Sequence, residues 1–230
     1  MSLNEIPSIP ASLAQRTLGD IAVATPGATA LFSASRLDYC CGGQTTLAEA
    51  AAAKSIDLDV IVADLERLGS TAVAAPAQLD TKALIETIVI RYHRVHSQEL
   101  PELIRLAKRV EAVHHDHPSV PAGLAELLEQ IFGELTTHMQ KEELILFPAM
   151  AKGGRANIAH PIAAMMADHD DHGLRLQALK DITDDIRAPE GACTTWRALY
   201  AGLAKFSDDL VEHIHVENNI LFPRFLGTGA

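Results

Sequence analysis

The feature that most constrains this chain is a motif that occurs twice on what should be the buried face of a helix. HMQKEELILFP spans 138–148 and HIHVENNILFP spans 213–223. Around the first, the apolar stripe runs Leu124, Leu128, Ile131, Leu135, His138, Glu142, Ile145. Around the second it runs Leu199, Leu203, Phe206, Leu210, His213, Glu217, Ile220. Both step alternately by four and three, the seam of a helix that faces a bundle core. His138 and Glu142 therefore point inward together, as do His213 and Glu217, each pair one turn apart on one face.

Two further helical patterns carry inward histidines. One seam reads Val89, His93, His96, Leu100, Leu103, and the other Ile162, Met165, His169, His172, Leu176, Leu179. His93 precedes His138 by 45 residues and His169 precedes His213 by 44. The C-terminal region thus repeats one helical hairpin, each copy giving an H-x-x-H and then an H-x-x-x-E. Helical patterns are predicted over 80–115, 122–150, 161–187 and 195–225, separated by HHDHPSVPAG, KGGRANIAHP and IRAPEGACT. Pro101 is expected to kink or split the first. No alternating strand pattern is present, so the chain is predicted to be all-α, with an up-down four-helix bundle over 80–230.

Residues 1–75 read as a separate small helical domain. LGDIAVATPGATALFSAS gives two short helices broken at Pro26-Gly27, and DYCCGGQ gives a turn. Thr45 or Thr46 caps the next helix, and Asp57 caps one that stops at Gly69. STAVAAPAQLD reads as a linker.

Two ionised carboxylates in a bundle core cost several kcal/mol each unless cations offset them. No Lys or Arg falls on these parts of the seams, so a metal centre is the economical answer, since imidazole and carboxylate suit iron, manganese and zinc. The competing reading is a polar network of His bonded to Glu within each turn, in a purely helical interaction protein. Two matched copies argue against it. Four imidazoles, one from each helix, and two bridging glutamates would give each of two ions four protein atoms. Positions remain open for an oxo or hydroxo bridge and an outside ligand, which favours iron over tetrahedral zinc. Whether His93 or His96, and His169 or His172, provides the ligand is left open by the periodicity.

Other features bound the function. The net charge of −11 makes nucleic acid and anionic membranes poor partners. No stretch reaches the ~18 apolar residues of a membrane span and no signal peptide is apparent. Three cysteines, two adjacent, argue for a reducing compartment, so a cytoplasmic location is expected. His114, His115 and His117, with His160 and His215, read as solvated residues at or near helix ends. Cys193 reads as a surface or packing residue.

DYCCGG (38–43), RYHRVH followed by QELPELI (91–104), SVPAGL (119–124), HMQKEELILFP and HVENNILFP together resemble the iron–sulfur cluster repair di-iron proteins, the RIC family. Members join a small cysteine-bearing domain to a hemerythrin-like bundle. The resemblance covers nearly the whole chain. It implies two iron ions on His93, His138, Glu142, His169, His213 and Glu217, with Glu142 and Glu217 bridging. His96 and His172 then border the site. Glu134 and Asp168 become residues that orient ligands or attract metal, Asp168 standing where the family usually has Glu. Cys40 and Cys41 would serve redox exchange, nitrosylation or iron relay. The implied function is repair of clusters damaged by nitric oxide or peroxide, by supplying iron, by handling nitric oxide, or both. Implied partners are damaged iron–sulfur proteins or scaffolds, an electron donor, small ligands such as nitric oxide, O2 or peroxide, and a second copy in a homodimer. The alternatives are a hemerythrin-like sensor or store of O2 or nitric oxide, and a di-iron nitric oxide reductase or peroxidase working by turnover.

Overall fold

The computed structural model describes residues 12–25, 27–68, 76–154 and 157–226. All regular structure among them is helical, as the periodicity requires, apart from one isolated bridge between Thr17 and Thr46. The chain divides into two compact units, Met1–Ala75 and Pro76–Ala230.

The N-terminal unit holds α1 (Leu18–Ala24), α2 (Ala28–Ala34), α3 (Leu47–Ala53) and α4 (Leu58–Leu68). Their starts follow local chemistry. The Thr17 hydroxyl accepts from the Asp20 amide at 3.1 Å. Thr46, not Thr45, caps α3, in a reciprocal capping box with Glu49. Asp57 accepts from the Asp59 amide at 3.0 Å at the head of α4. Gly27 turns the chain into α2 at φ 88°, a conformation that L side chains avoid. Pro26, Gly69 and the linker through 75 lie outside the described residues. Ile21, Phe32, Leu47 and Leu65 form the core of this unit.

The C-terminal unit is the bundle. Its first arm is α5 (Thr81–Ile88), a π-turn (Val89–His93) and α6 (Arg94–Val113). Asp80 caps it by accepting from the Ala83 amide at 2.9 Å. The second is α7 (Leu124–Lys141), a π-turn (Glu142–Leu146) and α8 (Phe147–Ala151). The third is α9 (Ala159–Ile182). The fourth is α10 (Thr194–Val216), a π-turn (Glu217–Leu221) and a 3-10 turn (Phe222–Arg224). α6 packs on α7 and α10, and α7 on α9. Glu111 of α6 accepts from the Ala125 amide at 2.9 Å, satisfying an N-terminal donor of α7 with a negative charge.

Four expectations need correction. Pro101 does not split its helix; α6 runs through it to Val113. The third helix ends at Ile182, because Asp184, Asp185 and Ile186 adopt positive φ of 48°, 59° and 57°. Val89 is only half-buried, and Ile145 is 66% exposed instead of facing the core. Ile88 and Leu146 take their places, because each π-turn inserts one residue and advances the seam by one.

Candidate metal centre

The three π-turns lie where the polar residues interrupt the seam. One ends on His93, one begins on Glu142, and one begins on Glu217. A π-turn re-aims a side chain that regular α-helix would point elsewhere. Pro148 and Pro223 each stand six residues beyond the glutamate. A proline lacks the amide that would bond the carbonyl four residues back, and its ring crowds that carbonyl, so a widened turn just before it is the relaxed solution.

The six residues converge at full burial. His93, His138, Glu142, His169, His213 and Glu217 are each at most 1% exposed. They make two four-residue groups: His93, His213, Glu142 and Glu217, and His138, His169, Glu142 and Glu217. Within each group the two imidazole Nε2 atoms lie 3.1 Å apart. Both carboxylates belong to both groups. Glu142 Oε2 is 3.4 Å from Nε2 of His93 and 3.4 Å from Nε2 of His138. Glu217 places Oε1 3.0 Å from His213 Nε2 and Oε2 3.1 Å from His169 Nε2.

The protons make these groups hard to satisfy without a cation. His138 bonds Asp168 through Nδ1 at 3.3 Å, and His169 bonds Asn218 Oδ1 through Nδ1 at 2.8 Å. Those oxygens only accept, so both rings donate from Nδ1 and present a bare lone pair at Nε2. Two lone pairs then face each other at 3.1 Å in a dry core, which is repulsive unless positive charge sits between them. His93 is held the same way, its Nδ1 bonding Glu143 at 2.8 Å. Neither oxygen of Glu142 has a hydrogen-bond partner among the described residues.

Electrostatics tell the same story. Burial, and then the Glu217 charge, raises the Glu142 carboxyl well above its usual range. Burial should raise Glu217 too, but the adjacent His213 and its hydrogen bond at 3.0 Å hold it low. Burial pushes His138 down to about 3 and lowers His213, which keeps these imidazoles uncharged and able to ligate. The donor set of nitrogen and carboxylate oxygen, with no thiolate, suits iron.

His96 and His172 are buried beside this cluster, with rings 5.5 Å from His213 and 5.1 Å from His138. Neither ring has a hydrogen-bond partner among the described residues, and burial holds their pKa values at about 2 and about 4.

The surrounding residues are less regular. Asp168 reaches His138 instead of its neighbour His169, and also accepts from Lys141 at 2.9 Å. Glu134 is engaged by Arg175 in two hydrogen bonds of 2.7 and 3.0 Å and bonds none of the converging rings. Sequence reasoning overlooked Glu143 and Asn218. Their signal was the repeat itself, since each directly follows an inward glutamate and bonds the first histidine of its own hairpin. Cys40 and Cys41 belong to the N-terminal unit, one buried and one half-buried. His215 is buried and paired with Asn219 at 3.1 Å, not solvated. His114 contacts Cys193 at 3.3 Å, and His114 (tilted) and His117 (edge-on) both pack against the buried Trp196, so they too are packing residues.

Two family models match the chain. Residues 84–225 match the hemerythrin HHE cation binding domain. Residues 14–69 match a domain of unknown function, DUF542. The chain is 47% identical over 213 residues to the iron-sulfur cluster repair protein YtfE of Pectobacterium atrosepticum, covering 92% of this chain and 96% of that one. It is 47% identical over 214 residues to the protein of the same name from Dickeya chrysanthemi, covering 92% and 96%. With that of Citrobacter koseri it shares 45% over 216 residues, covering 94% and 98%. No helix among the described residues is long and apolar enough to cross a membrane.

Proposed function

The chain belongs to the iron–sulfur cluster repair family, and from that premise we propose that it repairs clusters damaged by nitrosative or oxidative stress with iron held in its bundle. Two ions would be bound, one by His93 and His213 and one by His138 and His169, with Glu142 and Glu217 shared between them. The observation that carries this reading is the sharing: each carboxylate faces both histidine pairs, as a bridge between two cations would.

When bound, such a centre supplies ferrous iron and open coordination positions. The residues of the chain do the rest. Glu143, Asp168 and Asn218 hold three imidazoles by Nδ1 and keep their Nε2 lone pairs turned inward. Burial excludes water and keeps His138 and His213 neutral. The absence of thiolates from this set makes it a weaker hold on iron than a sulfur-rich scaffold, which favours transfer toward a damaged cluster. The partners are then damaged iron–sulfur proteins or scaffolds and an electron donor, in the cytoplasm, with the protein acting as a homodimer.

The test is to purify the protein without oxygen and count metal per chain by mass spectrometry, beside Glu142→Ala and Glu217→Ala. About two irons, falling sharply in both variants, is expected, followed by recovery of activity when the loaded protein meets a nitric-oxide-damaged [4Fe–4S] enzyme. Little iron, with variants as stable as wild type, would leave only a polar core.

One observation favours a second reading, a sensor or store for O2 or nitric oxide. His96 and His172 offer neutral ring nitrogens without partners beside the cluster, where they could bond a small ligand. On that reading Cys40→Ser and Cys41→Ser leave ligand binding and function intact.

A further inference from the structure

The loop between α2 and α3 is built around one carboxylate. Asp38 Oδ1 accepts from the backbone amides of Cys40 at 3.2 Å and Cys41 at 3.0 Å, so both cysteines are tied to it by their main chain. The Cys40 sulfur lies 3.3 Å from the same oxygen and 3.7 Å from the Cys41 sulfur. Gly42 makes room for this. A Cβ there would meet the Asp38 carbonyl oxygen at 3.0 Å and its Oδ2 at 3.1 Å. One potential ligand atom from each of Asp38, Cys40 and Cys41 falls within 4.8 Å of the others.

These spacings are those of a metal's coordination shell. Bond lengths of ~2.3 Å to sulfur and ~2.0 Å to oxygen put tetrahedral ligands roughly 3.8 Å (S to S) and roughly 3.5 Å (S to O) apart. A disulfide would need the sulfurs at ~2 Å. We propose that Asp38, Cys40 and Cys41 form a metal site of the N-terminal unit, which takes one borderline divalent cation such as zinc or ferrous iron through two thiolates and a carboxylate oxygen.

Binding forms two metal–sulfur bonds and one metal–oxygen bond and releases the two thiol protons to solvent; no electron moves. Without a cation the Cys40 thiol is held protonated, first by its hydrogen bond with Cys41 and then by burial, so metal and protons compete. Asp38 is exposed and Cys41 half-exposed, which leaves the fourth tetrahedral position open to solvent or to an exchanging ligand. The proposal does not rest on the reading of the bundle, whose converging ligands include no sulfur.

That difference supplies the test. The full-length reduced protein, its bundle first loaded with ferrous iron under argon, is titrated with cobalt(II) and followed by near-ultraviolet absorption. Thiolate-to-cobalt charge transfer reports sulfur ligation, and imidazole and carboxylate cannot produce it. The expected result is a band that saturates at about one cobalt per chain and is suppressed by an equivalent of zinc. It is absent in Cys41→Ser and Cys40→Ser and unchanged in Cys193→Ser. Because Cys40 is buried, Cys41→Ser with an unchanged far-ultraviolet circular dichroism spectrum carries the decision. Asp38→Asn keeps the acceptor for the two amides and should weaken binding about tenfold or more. No band, a band that survives in Cys41→Ser, or saturation near half a cobalt per chain would overturn the site. An unchanged affinity in Asp38→Asn would overturn the three-ligand assignment.

Discussion

Three of the four converging imidazoles are held by an oxygen acceptor, and the fourth, His213, lies flat against Tyr92, with ring centres 5.2 Å apart. Tyr92 precedes His93 as Asp168 precedes His169, so the two hairpins place unlike residues at equivalent positions. This predicts unequal dependence on the supporting residues. Glu143→Ala should weaken metal binding by about 10- to 100-fold in chelator competition, as loss of an orienting carboxylate does. Its effect on the metal-free protein should be small, since the Glu143 side chain is 43% exposed. His96 and His172 predict a pH dependence. Their folded pKa values of about 2 and about 4 lie below the ordinary ~6.5, so the unfolded chain binds more protons. Stability present above pH ~6.5 is therefore lost as pH falls through the window, by up to ~1.4 kcal/mol per pH unit for each histidine. Urea unfolding of the metal-free protein from pH 7 to 5.5 should cost on the order of 2 kcal/mol more in wild type than in a His96→Gln, His172→Gln double variant.

At the scale of elements, the long helices and their inward histidines were legible because a helix facing a core repeats its apolar residues by fours and threes. Glu142 and Glu217 stood out for the same reason, as charged residues where Leu should recur. The π-turns were not legible in that periodicity. A π-turn adds one residue without changing composition, so Val89 and Ile145 seemed to continue seams that in fact pass through Ile88 and Leu146. The choice of His93 over His96 also lay beyond periodicity, because both face inward and are buried, and only His93 falls in a four-residue group with the two glutamates. His215 was misread because it lies off the seam, yet it is buried. The π-turns can be tested directly. Deleting Ile90, 48% exposed within the first π-turn, should restore regular α-helix and leave Ile88 four residues before His93 on the same inward face. Helix content should hold by circular dichroism and the Tm should stay within a few degrees, while metal per chain falls by about half because no widened turn aims His93.

At the scale of the molecule, stability and function oppose one another. Two fully buried carboxylates weaken a metal-free bundle, since replacing buried charge by apolar residues of similar volume is commonly neutral or stabilising by about 1–4 kcal/mol. Glu142→Leu with Glu217→Leu should therefore unfold at higher urea than wild type once both are stripped of metal. In ferrous iron the order should reverse, because only wild type gains from binding. Equal midpoints in both conditions would mean that the carboxylates neither burden the fold nor hold a cation.

The ring pairing has a mechanical side. Neither hairpin brings a ring pair together alone: His93 meets His213 across 120 residues, and His138 meets His169 across 31. On the proposed assignment two ions would act as clasps that share Glu142 and Glu217, one tying the first arm of the bundle to the second and the last, the other tying the third arm to those same two. The outer ligands of the first lie 124 residues apart and those of the second 79, so by loop-closure entropy the two would constrain the unfolded chain to within about 0.4 kcal/mol of each other. Only the ion between His93 and His213 would fasten the first arm to the last, so the ion between His138 and His169 is the one such a molecule could give away while remaining fastened end to end.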